Sequence, residues 1–300
     1  MLLMRCPALS AILPPLCSPK SRYILTIVQP FRLFTHTSYS TMSNANKYEL
    51  LYWPGIPGRG EFVRLAFEAT KTPYLDVSNQ VEGGIRQILA LKDEKATYDA
   101  DGNPPALAPP ALRIHGEGKN GKALVLSQTP AILAFLGEKL DLAGADAAEK
   151  AWIQALALTA LDLNNETHDT HHPVSTLAYY EDQKEESLRR ATDFRESRIP
   201  KFFGYFERVL KGNKEGKGRY LVGDKLSYAD LTLWQVVHGL KFAFPKELKA
   251  REEAGEFPTI FKTFFPSVPE HGQLKEYLDS DRRKPYSKGI FRHYPELDRQ

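Results

Sequence analysis

The sequence predicts an α/β module followed by an all-α module, joined by a short linker. Three observations carry this reading. Residues 48–77 hold an apolar run, a helix-spaced run and a second short apolar run, a β-α-β opening. Residues 111–126 read as a hairpin around a Gly-rich turn. Beyond residue 148 every periodic stretch is helical. Mixed elements followed by helices alone indicate two domains. They are expected over 47–140 and 148–300, with a linker at 141–147.

Residues 48–52 (YELLY) form the first strand, ended by the breakers Pro54, Gly55, Pro57 and Gly58. Residues 61–70 form a helix: Phe62, Leu65, Ala66 and Ala69 recur at helical spacing, and Glu61 is an acid in the first turn. Thr72-Pro73 breaks it, and 74–77 is the second strand. A helix over 85–91 and strands over 111–115 and 124–126 follow. The module closes with a helix over 130–140, with Pro130 at its first position, where a missing N–H costs nothing. Later helices are expected over 148–165, 182–210, 228–244, 256–265 and 273–279. Ser227-x-x-Asp230, flanked by Leu226 and Leu231, is a capping box with a hydrophobic staple. Residues 281–300 carry no period and are expected to wrap the surface.

The chain has 300 residues, 42% hydrophobic and 26% charged, an ordinary globular balance with ample length for a core. No apolar run is long enough to span a bilayer, so no membrane partner is expected. The net charge is +3, but Arg5, Lys20, Arg22 and Arg32 place +4 in residues 1–46 and leave the body at −1. A basic face for nucleic acid is not indicated. This leader is rich in Ser and Thr and precedes the first acid, Glu49, which is the composition of a mitochondrial transit peptide. Two readings stand beside it: Met42 as the start of a cytoplasmic form, and the apolar stretch from Cys6 to Cys17 as a secretory signal, although Pro14 and Pro15 interrupt it. Cys6 and Cys17 are the only cysteines. The body therefore has no disulfide, cysteine–zinc site or cysteine nucleophile.

One ordered set of segments identifies a family. YELLY, the breakers and then GRGEFVRLAFEAT (58–70) resemble the opening of the tyrosine-type glutathione transferases, nearest the sigma-like group and its fungal relatives. APPALRIHG (108–116), LSQTPAIL (126–133), GDKLSYAD (223–230) and YPELD (294–298) follow in the expected order. The resemblance covers residues 47–300. It implies a thioredoxin-like N-terminal domain, a helical C-terminal domain, a homodimer, and glutathione as co-substrate with no permanently bound cofactor.

The resemblance also implies the site. Tyr52 ends the first strand, where the family keeps the hydroxyl that holds the glutathione thiolate. A free thiol with a pKa near ~8.5 is mostly protonated at neutral pH, and a donated hydrogen bond favours the thiolate. Pro110 matches the family's cis-proline, and the preceding residue pairs with the cysteinyl backbone. Here that residue is Pro109, which can accept a bond but has no N–H to return one. Gln128 and Thr129 match the pair that holds the γ-glutamyl end, with Thr129 also suited to capping the helix. The Tyr52-to-Arg59 span is one residue longer than in the sigma pattern; Arg59 either polarises the site or faces solvent. Lys92 and Lys95 lie in the interval expected for a glycyl-carboxylate ligand. The acid that the family often lends across its dimer is replaced by Thr159, with Asp162 one turn on.

His168, Asp169, His171 and His172 are the richest polar cluster. Their spacing puts three imidazoles on one helical face, which also suits zinc. We read them as pocket wall or helix-end groups, with no metal; His168, His172 and Tyr179 are the candidates for the electrophile pocket. The implied activity is conjugation of glutathione to small hydrophobic electrophiles. A glutathione-dependent peroxidase or isomerase on the same fold is an alternative, and a non-catalytic binding or scaffold role is another.

Overall fold

A computed structural model describes residues 47–300. The leader, with Cys6, Cys17 and the expected transit segment, lies outside the described residues.

Strand β1 (Tyr48–Leu51) is central in a four-stranded sheet of order β2-β1-β3-β4. It pairs parallel with β2 (Leu75–Asp76) and antiparallel with β3 (Ala111–Ile114), which pairs antiparallel with β4 (Leu124–Ser127). Alternation along β1 splits its side chains between two cores. Tyr48 and Leu50 join the main core with α1 (Gly60–Ala69), while Leu51 joins a small one with Val77, Ile88 and Ala111. The single turn α2 (Val77–Gln80) and α3 (Ile85–Leu91) cover that second face. Glu49 is buried there, with its carboxylate accepting from Arg113 (2.6 Å). Helix α4 (Thr129–Lys139) closes this thioredoxin-like part.

The rest is helical: α5 (Ala147–Asp169), α6 (Lys184–Asp193), α7 (Ile199–Gly212), α8 (Tyr228–Ala243), α9 (Pro245–Glu253), α10 (Phe265–Ser267) and α11 (Leu274–Leu278). Almost all of α8 is buried, and Asp230 and Ser227 form the expected reciprocal capping box. No helix among the described residues is long and apolar enough to cross a membrane.

Three expectations need correction. The helix expected over 182–210 is two, α6 and α7, separated by a π-helical turn at Phe194–Arg198. Pro200, in the first turn of α7, has no N–H with which to continue a regular ladder. The helix expected over 256–265 is likewise a π turn (Ile260–Phe264) and the short α10, in a stretch punctuated by Pro258, Pro266 and Pro269. The tail does more than wrap the surface. Ile290, Phe291 and Leu297 are buried, and Gly239 of α8 leaves room for the Phe291 ring where any Cβ would collide. Tyr294 stacks on Tyr180 at 3.9 Å, and buried Asp298 caps α9 by accepting from the Lys246 and Glu247 amides.

A buried polar cluster ties α1 to α11 and the tail. Arg64 donates to Asp76 (2.7 Å) and Glu61 (3.1 Å), and Glu61 also accepts from Tyr277 (2.6 Å) and pairs with Arg283. Nearby Glu68 accepts from Gln273 (2.6 Å) and Arg282. Burial alone would lower the Arg64 pKa, but the Glu61 and Asp76 carboxylates outweigh it and raise it. Burial likewise opposes ionisation of Glu61, and Arg283 and Arg64 hold its carboxyl below the usual range.

Candidate active site

Tyr52 leaves the end of β1 and lays its ring on the backbone of the following loop. The fit requires glycine twice: a Cβ on Gly58 would lie 2.1 Å from the Tyr52 hydroxyl oxygen, and one on Gly60 would lie 2.6 Å from the ring. Gly58 also has φ +43°, which disfavours a side chain. Arg64 fixes the loop from behind, donating to the Pro57 carbonyl at 3.1 Å. The Arg59 amide then donates to the Tyr52 hydroxyl at 2.8 Å. No protein acceptor takes the hydroxyl's own proton among the described residues. Burial raises the Tyr52 pKa, with the Arg59 amide bond and Arg64 only partly offsetting it. The phenol stays protonated at neutral pH and is available to donate.

Two chambers meet beside this loop. The first, of about 360 Å³, is lined by Pro109, Pro110, Gln128, Thr129, Asp162 and the Arg59–Asn165 pair, among others. The second, of about 330 Å³, is lined by Tyr52, Arg59, Asn165, His168, Asp169, Thr176 and Ile290. Arg59 and Asn165 border both, and the Arg59 guanidinium donates to the Asn165 side-chain oxygen. Larger cavities of about 420 and 510 Å³ lie elsewhere, against α7 and α3 respectively, and neither includes Tyr52.

The first chamber brings together Pro109, Pro110, Gln128 and Thr129 of the residues expected to hold glutathione, while Tyr52 lines the second. The Pro109–Pro110 bond is cis. Gln128 sits at φ +72°, in the left-handed half of backbone space and immediately before α4. Thr129 does not cap α4: it is the first helical residue, and no side-chain cap bond forms at this end. Its hydroxyl is instead buried without a partner beside the chamber. A buried, unpaired hydroxyl is costly unless a ligand completes it. Pro130, at the second helical position, contributes no N–H, so the free amides of this turn are those of Thr129 and Ala131.

Other candidates fall outside. Lys92 stands 5.2 Å from the Trp53 ring centre, and neither Lys92 nor Lys95 lines either chamber. Tyr179 is 72% exposed and absent from both walls, because its backbone is held in a cap with Asp182. His172 is buried behind His168, stacked on it at 4.7 Å, and also lines neither. Of the three pocket candidates only His168 lines the second chamber. Asn165 and Ile290 went unread in the sequence. Asn165 had a signal, since it lies one turn from both Asp162 and His168 on α5; Ile290 had none.

Two of the three imidazoles are committed to carbonyls. His171 bonds the Ile290 carbonyl at 2.8 Å and His172 the Ala178 carbonyl at 2.9 Å. No group of three His, Cys, Asp or Glu side chains among the described residues is arranged to hold a metal. Burial, reinforced by Arg292, depresses the His171 pKa to about 3. Its folded pKa lies below the unfolded value near ~6.5, so its contribution to stability is full above that value and lost as pH falls. Wild type is therefore expected to lose about 2 kcal/mol more between about pH 7 and pH 5 than His171→Gln does. Urea midpoints of both proteins at the two pH values check this, and equal losses refute it.

A thioredoxin-like sheet, a helical second part and a tyrosine at the junction form the arrangement that the glutathione-transferase resemblance implies. A family model for the glutathione S-transferase C-terminal domain matches residues 168–281. Glutathione S-transferase alpha-3 of Rattus norvegicus is 32% identical over 200 residues, covering 66% of this chain and 79% of the relative. A glutathione S-transferase of Plasmodium yoelii yoelii is 24% identical over 230 residues, 76% of this chain and 92% of that one. Among solved structures, a sigma-class transferase of Fasciola hepatica superposes with a TM-score of 0.59 at 18% identity, covering 81% of this chain and 99% of that one. The chain belongs to the glutathione S-transferase family.

Proposed function

We propose that the protein transfers the thiolate of glutathione to an electrophilic carbon, with Tyr52 donating a hydrogen bond to the sulfur. The observation that carries this is the Tyr52 hydroxyl, fixed by the Arg59 amide with its own proton uncommitted, at the meeting of two chambers. Glutathione occupies the first chamber. Its γ-glutamyl end satisfies the Thr129 hydroxyl and Gln128, and its cysteinyl N–H reaches the carbonyl of Pro109. Pro109 returns no bond, so the peptide is held by fewer contacts than a two-bond pairing would give. The electrophile enters the second chamber. Clearance of reactive compounds is the role this chemistry suits. A homodimer and delivery to mitochondria by residues 1–46 complete the proposal.

Calorimetry tests the first step. Glutathione is expected to bind, and Thr129→Val to weaken binding about tenfold, the size of one lost hydrogen bond to a charged group. Absence of heat with wild type at millimolar glutathione refutes the reading, and equal affinity in the variant removes Thr129 from it.

A further inference from the structure

We infer that Arg283, in the C-terminal tail, is a positioning residue for Tyr52: by holding the Glu61 carboxylate it leaves Arg64 free to tie down the Tyr52 loop. This rests on the thiolate-transfer reading above.

Arg64 is contested at one nitrogen. Its Nε is spent on Asp76, and its Nη2 has no partner among the described residues. Its Nη1 has two protons for three acceptors: Glu61 and the Pro57 carbonyl, each at 3.1 Å, and the Ile56 carbonyl at 3.4 Å. A carboxylate accepts more strongly than a carbonyl and would draw the guanidinium off the loop. Arg283 opposes this by pairing with Glu61, where Tyr277 adds a neutral donor at 2.6 Å. The Glu61 charge is thus shared between two cations, and Nη1 keeps its bond to Pro57.

Arg283 is itself held in place. Its Nη2 donates to the Gln235 side-chain oxygen and to the Tyr286 hydroxyl, both at 3.0 Å, and Tyr286 in turn bonds His238 at 2.7 Å. The Arg283 side chain is 8% exposed and Glu61 is wholly buried, so solvent ions screen the pair little. Burial alone would lower the Arg283 pKa, and the Glu61 carboxylate outweighs it and raises it. The same stretch of tail meets the loop again a few residues on. A Cβ on Gly289 would lie 3.8 Å from the Cα of Gly58, next to the Arg59 amide that fixes the Tyr52 hydroxyl.

In Arg283→Gln the Glu61 carboxylate has Arg64 as the remaining cation that faces it. Arg64 turns toward it, the Pro57 tie loosens, and the Tyr52 hydroxyl is no longer aimed at the sulfur. The pKa of the bound thiol is expected to rise by about 1, which lowers thiolate and kcat about tenfold at any pH below it. The glutathione KM is expected to change little, because the proposed peptide contacts lie in the first chamber.

The test measures the ultraviolet absorbance of bound glutathione thiolate against pH, and kcat with a generic aryl halide. Arg283→Lys keeps the charge and is expected to raise the thiol pKa by less than half as much as Arg283→Gln. Arg283→Gln combined with Glu61→Gln removes the competing carboxylate along with its partner, and is expected to return the pKa to the wild-type value. A merely structural Arg283 predicts no such return. Because Arg283 acts through the Tyr52 hydroxyl, Arg283→Gln is expected to add almost nothing to the loss in Tyr52→Phe. An unmoved thiol pKa in both Arg283 variants, a double variant as impaired as Arg283→Gln, or additive losses with Tyr52→Phe overturns the inference while the transferase reading stands. Wild type that conjugates nothing overturns that reading, and the inference with it.

Discussion

Tyr52→Phe is expected to slow conjugation about 100-fold or more at neutral pH, the scale of a lost charge-stabilising donor. The ring remains packed on Gly58 and Gly60, so the substitution removes the hydroxyl and little else. Without the donated bond, the pKa of the bound thiol rises toward the free value near ~8.5. Less thiolate is then present at neutral pH, and the residual rate climbs as pH increases. The glutathione KM is expected to change little, because the proposed peptide contacts lie in the other chamber, at Gln128 and Thr129. Rates measured between about pH 6 and pH 9 give the comparison, since such profiles report the groups that must be charged. A Phe variant with the wild-type rate and the wild-type profile would show that another group holds the sulfur.

Arg64→Met is expected to cost about 3–5 kcal/mol of stability, the range for removing one partner of a buried ion pair. The side chain is wholly buried, and it faces Asp76 and Glu61 at once. Methionine fills much of the volume but leaves those carboxylates short of positive charge, with Arg283 as the remaining cation for Glu61. The loop also loses its tie at the Pro57 carbonyl, so the Arg59 amide no longer holds the phenol in one place. Arg64→Lys keeps the charge without the planar fork and is expected to fall between the two. A shift in the urea midpoint at constant slope measures the effect. A loss under about 1 kcal/mol would mean that the cluster relaxes around the gap.

Local chemistry made the first half readable. The apolar run at Tyr48, the breakers after Tyr52 and the helical spacing from Phe62 to Ala69 each specify one backbone form, and the structure follows them within a residue or two. What escaped was set by partners distant in sequence. Helix α9 has only Leu248 and Ala250 as apolar residues, too few for a stripe, and a carboxylate some fifty residues on caps its start. The polar residues around His168 were legible as a cluster, but which of them faces the chamber was not. That depends on where the chain turns after Asp169, and on Tyr179 being drawn into its own cap. Gln128 looked like a side-chain ligand; its unusual backbone angle leaves no trace in composition. The Arg59–Asn165 contact joins residues 106 positions apart, so no local pattern announces it.

The Tyr52 chamber is built from the two far ends of the described chain. A Cβ on Gly289 would lie 3.8 Å from the Cα of Gly58, and Ile290 walls the space in front of the phenol. On the ribosome the chain emerges from its N-terminus, so the residues that line the first chamber are all made once α5 is out. The Tyr52 chamber lacks a wall until Ile290 is made. Release before Ile290 is therefore expected to leave the Tyr52 hydroxyl open to water, and it also removes Phe291 from the core.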